Sequence, residues 1–525
     1  MRHGSDAVKV VVKAFLTGGT LPVFDFRDIR EKGAELVTTG GLAPGPEPLR
    51  ICLENLVQVF RQALGRKLLP IEVHDISCII ADAVLAGGIR RAAMIALFDR
   101  TDEEMLSCKS ENTPISHFNY YGIEADEKGM VEVEVVNLYN QTYSGKIHES
   151  TLDTCLENKT VPWYIAYPYR ARANNSAVLL RGAVSEEEFK VLMKKVELSG
   201  SGEPGIYWTN NLDWGTNPCV EIALRPYQMC NLTETNADMI HTQEDYNKAA
   251  RAGAFIGTLQ AGYTDFHYLN PKWKIACEKE ALLGVSMTGI ASGTVTALDM
   301  NLASKWVVSE NRRVAELIGI NPAARSTCVK PAGTTSLVLG TGSGVHAWHD
   351  YFYIRRMRAG KNEALAKFLM KNAPALVEDD VTNYTQVVLS FPQAAPKGAK
   401  VRTEHVLELL ERVKDVSIRW VASGHVSGIN RHNVSCTISV KEDEWEIVTM
   451  WMWNNREHYN GIAVLPYYGS IAYPQMPFES ITEQQYLEML PLLQGIDISQ
   501  IREDNGQDVD LAAELACAGG VCEIN

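Results

Sequence analysis

The sequence predicts an α/β protein on two observations: amphipathic helical segments recur along the chain, and short apolar runs of strand length fall between them. A third observation supports this. Two loops rich in glycine and proline are flanked by strongly apolar elements, so they read as ligand-side loops of a scaffold rather than as linkers. In chain order, "PVFDF" (22–26) is the first expected strand, and the first such loop, "KGAELVTTGGLAPGPEPL" (32–49), follows it. Residues 74–87 repeat Ile76, Ile79, Ile80, Ala83 and Val84 at helical spacing. "AAMIALF" (92–98) is a strand, and "TDEEMLSCK" starts a helix with Thr101 and Glu104 at capping-box spacing. "NSAVLL" (175–180) is a strand, and "SEEEFKVLMKKVEL" is a helix capped by Ser185 and Glu188. Helices are expected at 243–261, 361–372, 403–414 and 482–493. "CTISV" (436–440) is a strand, and "KPAGTTSLVLGTGSG" (330–344) is the second loop. The stretch "NGQDVDLAAELACAGGVCEIN" is acidic and rich in small residues, and reads as a mobile tail.

A length of 525 residues calls for one large domain or two to three ordinary ones. Hydrophobic residues at 46% and charged residues at 22% fit a soluble globular chain. No apolar run reaches the roughly 18 residues of a membrane span, and "MRHGSDAVKV" lacks the features of a secretory signal. A formal net charge of −14 argues against DNA or RNA as a bulk partner. A small anionic ligand remains compatible with it, because a few backbone N–H groups suffice to bind phosphate. Eleven cysteines without a secretory signal predict a cytosolic protein with mostly reduced thiols. Cys78, Cys277 and Cys436 sit among apolar neighbours and are expected to be inert.

The chemistry concentrates in "GTNPCVEIALRPYQMCNL" (215–232). Glu221 stands two residues after Cys219, and Cys230 follows Cys219 by eleven. Neither these cysteines nor the tail pair, Cys517 and Cys522, have the second close pair of a structural zinc site, so no metal is predicted. Two thiols that meet hold two electrons, released when the disulfide forms, and Gly519 and Gly520 allow the tail cysteines to meet. An unstructured end with two incidental cysteines is the competing reading. A carboxylate beside a thiol raises its pKa, which opposes thiolate catalysis and suits a thiol used as a sulfur radical. Glu221 is also placed to take a proton from a substrate hydroxyl. The plainer alternative is a buried strand with Glu221 on its polar side. "KPAGTTS" (330–336) reads as a turn that offers hydroxyls and N–H groups to a phosphate if a helix starts there. It lacks the full P-loop pattern.

"NPCVEI" followed by "CNL" at this spacing resembles the active-site finger loop of ribonucleotide reductases. "GGIRRAAMIALFD", "ARANNSA", "KPAGTTS" and "CAGGVC" occur in the order of that family and span nearly the whole chain. "GTGSGVHAWHDYFYIRR" and "AVLPYYGSIAYPQMPFESIT" look like its class II, adenosylcobalamin-dependent branch. The resemblance implies a ten-stranded α/β barrel of two five-stranded halves with the finger loop through its centre. It gives a catalytic domain over 1–500 and a redox tail over 501–525. Cys219 would become a thiyl radical and take the 3′ hydrogen, Glu221 would take the 3′-OH proton, and Asn217 would bond near that hydroxyl. Cys230 would supply half of a dithiol renewed by Cys517 and Cys522 from thioredoxin or a similar reductant. Pro331, Ala332, Gly333, Thr334, Thr335 and Ser336 would hold the substrate phosphates, with Asn174, Asn175 and Ser176 lining the pocket. Lys32, Gly33, Gly40 and Gly41 would belong to the loop that reads dNTP or ATP effectors. The implied location is cytoplasmic, in a bacterial or phage-infected cell.

Three departures from the family pattern stand out. No cysteine precedes the effector loop, the first being Cys52 beyond it. The N-terminal barrel strands and the partner of Cys230 are therefore expected on a separate companion polypeptide. Val220 replaces a glycine usual in class II. Tyr467 and Tyr468 are adjacent, a pairing that class I enzymes use to relay a radical from a ferritin-like subunit, although a plain tyrosine turn is the favoured account. A class I-like catalytic subunit and a non-catalytic nucleotide-binding or regulatory remnant are the alternative functions.

Overall fold

The computed structural model describes residues 4–34 and 43–501, apart from 87–89, 92, 121–124, 127–128, 268, 362–363, 380–385, 468–474 and 476–477. Gly4–Thr17, Glu47–Gln62 and Pro70–Asp82 form helices at the N-terminal end. Glu47–Gln62 buries Cys52, Leu53, Leu56, Val59 and Phe60, one stripe at helical spacing. This stripe joins Val11, Ile79 and the antiparallel pair Met130–Val136 and Thr142–His148 in one apolar cluster.

The central sheet is built from segments far apart in the chain. Met94–Asp99, Ala173–Leu180 and Gly205–Thr209 pair in parallel. Gly205–Thr209 pairs antiparallel with Gly461–Pro466, which pairs in parallel with Thr437–Val440. Hydrogen bonds carry the ladder further. The N–H of Val329 donates to the Asn433 carbonyl at 3.1 Å, and that of Ser435 to the Val329 carbonyl at 2.9 Å. On the other side of the same segment, the Val285 N–H donates to Ser326 O at 2.8 Å, and Leu283–Thr288 pairs in parallel with Asn231–Asn236. Two parallel groups thus run in opposite senses and meet at the antiparallel pair. Among the described residues, hydrogen bonds do not close them into the expected barrel. Met94–Asp99 and Asn231–Asn236 each have a single neighbour in their sheets.

Side-chain alternation gives this wall two faces. The outer face packs on the helices Gln243–Ala261 and Met300–Ile318, with Val285, Met287 and Val329 in the main core. The Thr233 hydroxyl donates to the Gly253 carbonyl at 3.1 Å, which fixes Thr233 on that side. The inner face therefore carries Leu232, Glu234 and Asn236 beside their register partners Gly284, Ser286 and Thr288. Gly284 is needed where the finger loop crosses. A Cβ there would lie 2.9 Å from Ile222 Cδ1, 2.6 Å from Leu232 Cδ2 and 3.1 Å from Cys328 Sγ.

Most expected elements are present: helices Pro70–Asp82, Glu186–Leu198, Gln243–Ala261, Ala364–Asn372, Val406–Val416 and Glu483–Leu493, and three of the four expected strands. The Ser185–Glu188 capping box forms. The helix after Thr101 is capped instead by Asp102, whose carboxylate accepts from Met105 N, while the Thr101 hydroxyl turns back to Asp99. "PVFDF" is not a strand. Asp25 is held by Arg27, Val23 points to solvent, and Phe24 and Phe26 pack on the N-terminal cluster without backbone pairing.

Candidate active site

The finger loop turns sharply at the cysteine. The Val220 N–H donates to the Asn217 carbonyl at 2.9 Å, and Val220 has φ of 65°, a left-handed conformation costly for a β-branched residue. This explains physically why glycine suits the position. The opposing residue is Gly461, where a Cβ would come 2.7 Å from Val220 Cγ1. The turn brings Cys219, Asn217 and Glu221 together. The Asn217 Oδ1 accepts the Ile222 N–H at 3.0 Å, and the Asn217 side chain also hydrogen-bonds Glu221. Glu221 is 1% exposed, and its Oε2 has no hydrogen-bond partner. Burial raises its pKa above the ordinary carboxylate range, against the bond from Asn217 and the charge of Lys330. Cys219 is partly exposed.

A distant segment, "RHNVSC" (431–436), pins the loop. The Ala223 N–H donates to His432 Nδ1 at 3.1 Å, and the other ring nitrogen of His432 bonds Leu283 O at 2.9 Å. The Asn433 N–H donates to Glu221 O at 2.9 Å, and the Ser435 hydroxyl to Cys219 O at 2.6 Å. Sequence reasoning missed these residues. Their only trace was a run of polar residues ahead of an apolar strand. Asn174 closes the other side by donating to Pro218 O at 2.8 Å.

On the inner wall, burial pushes the Cys230 thiol well up, and nearby Glu221 adds to the shift. Cys328 is fully buried and raised by the same two causes, with Cys230 and Glu234 also contributing. These thiols stay protonated at neutral pH, as suits a hydrogen donor or a dithiol rather than a thiolate nucleophile. Residues 330–336 lie at the ends of these strands. Lys330 N–H donates to Ser286 Oγ at 2.9 Å, and a short helix, Gly333–Val338, begins inside the motif, which meets the condition set for a phosphate cradle. Pro331, Ala332 and Gly333 form its entry, and Thr334, Thr335 and Ser336 its first turn; the Ser336 hydroxyl donates to Gly333 O at 3.0 Å.

The other expected residues are placed as follows. Asn174 and Ser176 share one face of their strand and Asn175 the other. Asn175 bonds His74 Nε2 at 3.0 Å and Cys108 Sγ at 2.9 Å, away from the finger loop. At the base of the loop expected to read effectors, the Gly33 N–H donates to Ala43 O at 2.9 Å, and Lys32 backs onto Gly45. Gly40, Gly41, Tyr468, Cys517 and Cys522 lie outside the described residues. Cys78 and Cys436 are buried as expected, but Cys277 is only partly buried, and its sulfur accepts the Met229 N–H at 3.3 Å. Among the described residues no group of three or more His, Cys, Asp or Glu is placed to hold a metal ion, and no helix is long and apolar enough to cross a membrane.

No family model matches the chain. It is 23% identical over 96% of its length to the adenosylcobalamin-dependent ribonucleoside-triphosphate reductase of Lactobacillus acidophilus, of which it covers 66%. It is 27% identical over 92% of its length to the enzyme of the same description from Euglena gracilis, of which it covers 61%. A probable adenosylcobalamin-dependent ribonucleoside-triphosphate reductase of Dictyostelium discoideum is 23% identical over 99% of the chain, which covers 63% of that relative. The chain thus spans less than two thirds of the length of these curated relatives. A crystal structure of a B-12-dependent class II ribonucleotide reductase superposes on 90% of the chain with a TM-score of 0.66 at 21% identity, covering 63% of that structure. The chain therefore shares the mixed α/β fold of that structure and has class II homologues at low identity.

Proposed function

We propose that this chain is the larger part of a class II ribonucleotide reductase that converts ribonucleotides to 2′-deoxyribonucleotides. The observation that carries the reading is the turn at 217–221. It sets a partly exposed thiol two residues from a sealed carboxyl that has one unpartnered oxygen and a hydrogen bond from the Asn217 side chain. In this reading the Cys219 sulfur radical takes the 3′ hydrogen, and Glu221, with its raised proton affinity, accepts the 3′-OH proton through its unpartnered oxygen. Asn217 orients Glu221. The 2′-OH leaves as water on a proton from a dithiol that includes Cys230, the same dithiol delivers a hydrogen to C2′ and becomes a disulfide, and the Cys219 S–H returns its hydrogen to C3′ as Glu221 gives back the proton. Ser435, Asn433 and His432 hold the loop in register. The loop at 330–336 carries the phosphates, Asn174 steadies the finger loop at Pro218, and Ser176 lines the same side of the strand.

Adenosylcobalamin, which the relatives' names specify, is the radical source in this reading and supplies the first unpaired electron. A companion polypeptide would add strands next to Met94–Asp99 and Asn231–Asn236 to complete the barrel. The tail cysteines would relay electrons from thioredoxin, and the loop at 32–49 would report effector identity.

The test is conversion of CTP to dCTP with adenosylcobalamin and dithiothreitol, with and without the companion. Cobalamin-dependent product lost in Cys219→Ser, with an unchanged far-UV spectrum, is the expected result. Retained turnover in that variant, or none under any of these conditions, would refute the proposal.

A further inference from the structure

One inner-wall carboxyl has no part in the chemistry above. Glu234 stands between Leu232 and Asn236, with Ser286 as its register partner. The inner-face side chains around it fasten the 330–344 loop. Asn236 Nδ2 donates to Leu339 O at 3.1 Å, and Ser286 Oγ accepts Lys330 N–H at 2.9 Å. Thr288 Oγ1 donates to Gly342 O at 2.8 Å and accepts Gly344 N–H at 2.9 Å. Glu234 sits in the middle of this set and bonds no backbone group of the loop: both of its oxygens are buried, and the Thr335 and Ser286 hydroxyls that face them do not reach full hydrogen-bond geometry. A carboxyl kept only to hold the loop would be bonded as its neighbours are.

We infer that Glu234 takes up a proton when a nucleotide polyphosphate settles against the 330–336 loop, so that this binding strengthens as pH falls. The inference rests on the nucleotide reading proposed above and deepens it by assigning proton linkage and phosphate selectivity to a named side chain. The groups that face Glu234 are Ser286 on the neighbouring strand, Cys328 and Lys330 on the next segment, Thr335 on the short helix and Glu221 on the finger loop. Burial raises its pKa to about 7; Lys330 and the Thr335 and Ser286 hydroxyls oppose this, and Glu221 adds to it. An ionised Glu234 repels an incoming phosphate, whereas a protonated one donates its O–H to it. The proton comes from solvent, and no covalent bond changes.

The sign follows from linkage. With a free-state pKa of about 7 and the proton held throughout this range once the polyphosphate is bound, the Kd for a nucleoside triphosphate rises about tenfold from pH 6 to pH 8 through Glu234 alone, with an uptake of about half a proton at pH 7. The experiment titrates CTP, and separately inorganic tripolyphosphate, into the full chain by calorimetry. Two buffers of different ionisation heat are used, with wild type and Glu234→Gln. The expected result is that both probes show this extra uptake and pH slope in wild type and lose them in Glu234→Gln. Equal uptake in the two proteins overturns the inference and leaves the nucleotide reading standing. Wild-type uptake no greater than the ligand's own phosphate accounts for overturns it even if the variant fails to fold. Failure of wild type to bind either probe at any pH overturns both.

Discussion

Replacing Asp75 with asparagine should destabilise the protein by about 3–5 kcal/mol, the cost of stranding a buried charge. Asp75 is fully buried. Its two oxygens accept Arg170 Nε and Nη2, each at 2.7 Å, and the Tyr139 hydroxyl donates to one of them at 2.9 Å. Burial alone would raise its pKa, but the Arg170 guanidinium outweighs this and holds it below the ordinary value. Asparagine turns an N–H₂ toward a guanidinium that, among the described residues, has only the Cys108 carbonyl, at 2.7 Å, as a further acceptor. The pair joins helix Pro70–Asp82 to the turn that leads into strand Ala173–Leu180. The loss should therefore loosen Asn174 and, through Pro218, the finger loop. Urea unfolding followed by far-UV circular dichroism, with m compared between proteins, reads the effect. A group with a depressed folded-state pKa contributes stability above its unfolded value and loses it as pH falls toward the folded one. The gap between wild type and variant should therefore be constant from pH 7 to pH 5 and shrink only below about pH 4. A paired Asp75→Leu, Arg170→Met protein should recover most of the loss, because no charge is left stranded. A single variant within about 1 kcal/mol of wild type, or a pair worse than the single, would refute the reasoning.

Three further outcomes are expected. Burial lowers the His432 pKa to about 3, so the unfolded chain binds a proton first on acidification. Wild type should lose about 1.4 kcal/mol per pH unit through this group below pH 6.5, a slope that thermal melts of His432→Gln should lack. Gly461→Ala places a Cβ 2.7 Å from Val220 Cγ1 and 2.8 Å from Ile206 O. It should cost about 1–3 kcal/mol by melting, only part of which Val220→Gly restores, because the backbone oxygen cannot withdraw. Ser435→Ala removes the bond to Cys219 O. It should cost about 1 kcal/mol of stability and, in the dCTP assay, lower kcat with little change in KM.

Local patterns were legible in the sequence and distant ones were not. A helix was expected near 243–261, where Gln243–Ala261 is found, because a long helical segment advertises itself by period. Cys219 and Glu221 were singled out because they stand two residues apart, and Asn217 through the family resemblance; the turn that joins the three is local. The strand Asn231–Asn236 was missed: its inner face carries Glu234 and Asn236 and its outer face threonines, so no apolar alternation marks it. The site needs those polar residues, and they erase the strand signal. His432, Asn433 and Ser435 were invisible because the fold alone brings them to the loop. "PVFDF" had the composition of a strand but, among the described residues, no partner to pair with.

The bonds that fix the finger loop also set an order of events during synthesis. Ser435 follows Cys219 by 216 residues. At the usual pace of translation, roughly ten to forty seconds pass before the second joins the first. Through that interval Cys219 is part of an unfinished surface, and no early-folding subset of the chain holds the complete finger-loop arrangement. Folding of the segment after residue 430 is then the step that locks the loop in place. Under the proposed function, the long-range contacts that slow folding would also keep truncated chains chemically silent.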